Sequence, residues 1–179
     1  ARRGVKRGVP LYRPAAAPAA PRAVGAAAHG AFVNYGLGAP EVSRVRALLD
    51  EGAGAAGRVA ADVDVWSIAC LDVAEQREAA LEKLGNILGF VGAYILGPDP
   101  ESRGVPTDLV PAVRALRASY TTRQREMDPA LTRRLGLFDY LRARLAIPGT
   151  PDDCLAQVRG AEDGGGTHLK FTVGLAAGL

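Results

Sequence analysis

The chain of 179 residues is poor in the side chains that most directly announce a chemistry: it has two cysteines, two histidines, one tryptophan and one methionine. Cys70 and Cys154 lie far apart with no metal-ligand spacing, so they read as buried or half-buried thiols in a reducing compartment rather than as a disulfide framework. His29 and His168 have no nearby residue with which to form a dyad, and they read as surface or capping histidines. The carboxylates are scattered over helix faces without a spaced acid–base pair, and no cluster offers a metal site. No run approaches the ~18 apolar residues that span a bilayer. The best, Leu84 to Leu96, is broken by glycines. No apolar signal region follows the basic stretch Ala1 to Arg7. These absences predict a cytoplasmic protein with no metal and no membrane partner.

Acid is missing from the N-terminal end. Arg2, Arg3, Lys6, Arg7, Arg13 and Arg22 all precede the first acidic residue, Glu41, in a chain of net charge +3. That distribution gives this end a positive field suited to an anion such as a phosphate, or else a solvated basic tail. Residues 1–8 are expected to be a flexible basic segment. The basic residues are not interleaved with aromatics and carry no nucleic-acid motif, so nucleic acid is not an expected partner.

What is present is alternation. Val9 to Tyr12, Ala31 to Tyr35, Asp62 to Leu71 and His168 to Val173 read as strands, the third as one buried on both faces. On this reading Trp66 and Cys70 belong to the core. Between the strands lie helical patterns: an Ala-rich one opening at Pro18, one carrying Val42, Val45, Leu48 and Leu49, and a long one carrying Leu81, Leu84, Ile87, Leu88 and Val91. Asp72 and Glu75 look like a capping box for the long helix, and Thr107 or Asp108 like a cap for the next. Asp128-Pro129 predicts a helix start ahead of Leu131, Leu135, Phe138, Leu141 and Leu145. Pro148-Gly149 reads as a break, and Thr150-Pro151-Asp152-Asp153 as a helix start. The alternation implies an α/β fold with about four parallel strands. A full eight-stranded barrel needs roughly 250 residues, so a fragment is the economical expectation.

Several ordered motifs carry a resemblance. Gly8-Val9-Pro10-Leu11-Tyr12 with Pro14-Ala15-Ala16-Ala17-Pro18, then His29-Gly30-Ala31-Phe32-Val33-Asn34-Tyr35-Gly36, look like two successive strand–turn segments of the luciferase-like monooxygenases. Asp62-Val63-Asp64-Val65, the run from Asp72 to Ala80, Gly149-Thr150-Pro151-Asp152-Asp153 and Gly165-Gly166-Thr167-His168-Leu169 resemble later motifs of that family in the same order. Ala17 stands where the family's turn carries glycine, and Pro21 implies a kinked or delayed first helix. The resemblance implies that residues 1–179 are the C-terminal portion of a partial (β/α)8 TIM barrel.

It also implies a deazaflavin-dependent oxidoreductase. Hydride would pass between coenzyme F-420 and a small organic substrate, in a protein expected to be a homo-oligomer. FMN with a monooxygenase reaction is the alternative. The family's phosphate-holding turns fall on Ala15, Ala16 and Ala17 and on Asn34, Tyr35 and Gly36, with Arg13 as a charged contact or a salt-bridge partner. The usual acid and base come from earlier strands, so no catalytic residue is assigned. The rival reading is a non-catalytic half-barrel that self-associates through an exposed strand face.

Overall fold

The computed structural model describes residues 9–15, 19–123, 126–163 and 168–173. Its elements run β1 (Tyr12–Pro14), α1 (Ala20–Ala27), β2 (Gly30–Val33), α2 (Ala39–Ala55), β3 (Asp64–Val73), α3 (Arg77–Ile95), α4 (Val110–Ala118), α5 (Leu131–Arg134), α6 (Phe138–Leu145), β4 (Ala146–Gly149), α7 (Pro151–Asp163) and β5 (His168–Val173). Every strand pairing is parallel, as strand–helix alternation demands. The expected basic segment 1–8, together with Ala16, Ala17 and Pro18, falls outside the described residues.

Among the described residues the sheet has five strands, where the sequence pattern suggests about four. β3 is the trunk. Along one edge it pairs first with β2, from Asp64 to Ser67, and then with β4, from Cys70 to Val73. β5 pairs with Trp66 to Leu71 along the opposite edge. β4 is the added strand, and it contains the Pro148-Gly149 pair that reads as a break. The missing proline N–H is tolerated in a short strand that pairs only with β3 among the described residues. All four β4 residues are buried, which the local sequence does not announce.

β3 is not buried on both faces. Val65, Ser67 and Ala69 are buried while Trp66 and Ile68 are half-buried, so helices cover one side of the strand more fully than the other. On the covered side, Val24 of α1 and Val45 and Leu49 of α2 pack against Ala31, Val33 and Val65. Cys154 of α7 packs there against Ala69 and Ile147. Trp66 is therefore not a core residue; it stacks on His168 with ring centroids 4.6 Å apart. Cys70 is buried as expected, in the largest cluster, with Leu84, Ile87 and Leu88 of α3 and Leu141 of α6.

The helix starts show which local signals win. α1 begins at Ala20 with Pro21 in its first turn, where a missing N–H costs nothing, so the expected delay is real. The Asp72–Glu75 capping box does not form. β4 holds Asp72 and Val73 in the ladder, and α3 starts at Arg77 without a side-chain cap. Asp72 instead lies 3.8 Å from Lys83. Neither Thr107 nor Asp108 caps α4, whose cap position is Leu109, with Pro111 in the first turn. The helix expected after Asp128-Pro129 splits into α5 and α6 because Gly136 takes φ +67°, a left-handed stop that glycine adopts freely. Asp128 does accept from the Ala130 N–H at 2.8 Å. At α7 the expected start holds: the Asp153 N–H donates to Thr150 Oγ1 and the Thr150 N–H to Asp153 Oδ2, both at 3.2 Å.

Candidate functional site at the end of β2

In a parallel sheet, strand C-termini and helix N-termini meet at one edge, where free N–H groups and helix dipoles favour an anion. β2 ends at Val33 and passes through Asn34, Tyr35 and Gly36 into the first turn of α2. Asn34 is half-buried, and its Oδ1 is sealed from solvent with no partner among the described residues. Tyr35 is 2% exposed and shares a buried cluster with Ala15. Gly36 has φ +136°, and a Cβ there would lie 2.8 Å from Glu41 Cγ and 2.9 Å from Arg144 Cγ, so both conformation and space require glycine.

The other expected contacts fare differently. The Ala15 N–H donates to Phe32 O at 2.8 Å, so it continues the ladder and is not free for a ligand. Arg13 is exposed on β1 and has no salt-bridge partner among the described residues. His29 is a capping histidine: its Nδ1 accepts from the Leu11 N–H at 2.9 Å.

What holds the β2–α2 corner is an arginine that the sequence reading passes over. Arg144, on the last turn of α6, is 6% exposed. Its Nε donates to Tyr35 O at 2.8 Å, Nη1 to Gly104 O at 3.2 Å and to the Tyr140 hydroxyl, and Nη2 to Arg103 O. In return, Arg144 O accepts from the Leu37 N–H at 3.0 Å, and Glu41 approaches Nη1 to 3.9 Å. The one signal in the sequence is position: Arg144 shares the buried face of α6 with Leu141 and Leu145.

Beside it lies Arg103, also 6% exposed, from the loop between α3 and α4. Its guanidinium sits 4.7 Å from the centroid of the Tyr35 ring, and its Nε and Nη1 find no acceptor among the described residues. Burial pushes its pKa down, opposed by the neighbouring Tyr35 phenol and the Asp99 carboxylate and assisted by Arg144. Burial likewise raises the Tyr140 hydroxyl, although the neighbouring Arg144 charge works to lower it. Among the described residues no cluster of His, Cys, Asp and Glu is placed to hold a metal ion, and no helix is long and apolar enough to cross a membrane.

Comparison with known proteins identifies the class. The family model for luciferase-like monooxygenases matches residues 2–168, and the chain belongs to that family of oxidoreductases. Among solved structures it is similar to a coenzyme F-420-dependent tetrahydromethanopterin reductase from Methanopyrus kandleri (TM-score 0.65, 20% identity), covering 92% of this chain and 45% of that one. It is also similar to an F-420-dependent secondary alcohol dehydrogenase in complex with an F-420–acetone adduct (TM-score 0.61, 14% identity, 94% and 44% covered). A third is a riboflavin lyase with modified FMN and riboflavin (TM-score 0.55, 16% identity, 93% and 39% covered). No curated protein matches the sequence. The chain thus spans less than half the length of these relatives, and its sheet is part of a (β/α)8 barrel.

Proposed function

We propose that this chain supplies the phosphate-holding side of a coenzyme F-420-dependent oxidoreductase, in which hydride moves between the coenzyme and a small organic substrate. The observation that carries the proposal is the Asn34–Gly36 turn, where a buried amide oxygen without a partner adjoins a glycine that has no room for a Cβ. Such a turn places a polar side chain at the head of a helix, where the dipole favours a phosphate ester. The assignment of amide oxygen and nitrogen in Asn34 can be exchanged, so the same side chain can present an N–H to an anion.

The coenzyme, when bound, supplies the hydride chemistry; the protein supplies binding and orientation. Asn34 and the Tyr35-Gly36 backbone would hold the coenzyme's phosphate end. Arg144, through Tyr35 O and the Leu37 N–H, fixes the turn that does so. F-420 is preferred because the solved relatives at TM-scores 0.65 and 0.61 are both F-420-dependent. FMN is the second reading, favoured by the riboflavin lyase.

The test is fluorescence titration of the purified chain with F-420 and with FMN, repeated on Asn34→Leu. Saturable F-420 binding, weakened at least about tenfold in the variant, is the expected result, since a lost charge-assisted hydrogen bond is of that size. Absence of binding to either coenzyme overturns the proposal, and preference for FMN selects the second reading.

A further inference from the structure

A narrow cleft of about 30 Å³ lies between Tyr35, the first turn of α2, the loop at Arg103 and Gly104, and Arg144. Its charge is unbalanced. Arg44, Arg103 and Arg144 line it against a single carboxylate, Glu41. Four of the five Arg144 N–H donors go to three carbonyls and a hydroxyl, and Glu41 leans toward Arg144 at 3.9 Å. The excess positive charge therefore rests on Arg103 and Arg44. Arg103 is 94% buried, its Nε and Nη1 have no acceptor, and among the described residues it has no ion pair; Asp99 attracts it only from a distance. A buried guanidinium left this way favours the arrival of an acceptor that is also a counter-ion. The 17-residue helix α2 has no side-chain cap at Gly38 and adds the positive end of its dipole to the same cleft.

We infer that this cleft is a second oxyanion site, distinct from the coenzyme turn, that takes a phosphate group through Arg103 and Arg44. A guanidinium carries a fixed charge and several planar N–H donors, of which Nε and Nη1 of Arg103 are open to a phosphate oxygen. At about 30 Å³ the cleft has room for little more than a water, so phosphate enters as Arg44 swings outward. Arg44 is exposed and, among the described residues, tied by one long 3.4 Å bond to Ser102 O, so the movement meets little resistance. Tyr35 joins the two places: its ring lies under Arg103 and its carbonyl belongs to the coenzyme turn. The phosphate held here accordingly belongs to the organic substrate, an assignment that rests on the proposed function; the oxyanion site itself does not.

The experiment is a titration of the purified chain with inorganic phosphate against chloride at matched ionic strength, read by Tm and by calorimetry. Wild type should be stabilised by phosphate. Arg103→Met should lose at least about tenfold in affinity while folding normally in phosphate-free buffer, because the substitution removes an unpaired charge and keeps the side-chain volume. Arg44→Gln, on the surface, should weaken binding to a smaller degree. No phosphate response in wild type, or an equal response in Arg103→Met, overturns the site. A second arm uses glycerol 3-phosphate: binding at least as tight as inorganic phosphate supports a phosphorylated organic substrate, and failure to bind overturns that assignment. A third arm adds F-420. Simultaneous binding supports two separate sites, whereas mutual exclusion identifies the cleft with the coenzyme's own phosphate and overturns the inference. A chain that binds phosphate through Arg103 but neither coenzyme leaves the oxyanion site standing and removes the proposed function.

Discussion

Two arginines lie side by side behind the end of β2, equally buried, and the structure treats them in opposite ways. On the α6 side, every polar atom of the Arg144 head that carries hydrogen has an acceptor, and the residue ties three chain segments together. On the loop side, Arg103 has one aromatic face and little else. Burial alone therefore does not say what a charged side chain does. A guanidinium whose donors are mostly taken by carbonyls is part of the frame, and one with donors left over keeps unused hydrogen-bonding capacity.

The comparison is broken most directly by Arg144→Met, which leaves Tyr35 O, Gly104 O and Arg103 O without their donor. A loss of about 3 kcal/mol is expected from buried acceptors left unsatisfied, measured by urea denaturation; a loss no larger than that of Arg103→Met would erase the distinction. Gly36→Ala comes next. The added methyl meets Glu41 and Arg144 in a left-handed backbone, and roughly 1–3 kcal/mol is expected for strain of that kind. Combined with Arg144→Met it should cost less than the sum, because part of the strain is contact with the removed side chain. Full additivity in that double-mutant cycle would show that the two positions are not coupled.

The smallest effect belongs to an exposed arginine. Arg134 holds Asp128 at 2.5 Å on the surface. That hydrogen bond first, and the Ala130 amide second, keep the Asp128 carboxyl below the usual carboxylate range. A lowered folded-state pKa gives a contribution that is complete above the unfolded pKa and is lost as pH falls through the folded one. The Tm difference between wild type and Asp128→Asn should therefore be slight at neutral pH and vanish in acid; a difference that persists at low pH would point to the cap rather than the charge.

Much of this was legible along the chain. The parallel α/β pattern follows from alternation, and the apolar stripe of α3 from Leu84, Ile87 and Leu88, because hydrophobic period is a local property. Asn34, Tyr35 and Gly36 could be singled out by the family resemblance, and they form the turn between β2 and α2. Arg103 and Arg144 could not be paired in advance: 41 residues separate the partners of the Arg144–Arg103 O bond, and 109 separate those of the bond to Tyr35 O. The partner of the Ala15 N–H, Phe32 O across the ladder, is likewise invisible along the chain.

Short-range pattern was enough for the family, the order of strands and helices, and the glycine at the β2–α2 turn. Tertiary contacts were needed to make Pro148-Gly149 a strand, to keep Asp72 in the ladder rather than at a helix cap, and to give one buried arginine four acceptors while Nε and Nη1 of its neighbour meet none among the described residues. Those outcomes depend on which distant backbone carbonyls arrive at the same place, and on how completely packing then excludes the water that would otherwise satisfy every polar group.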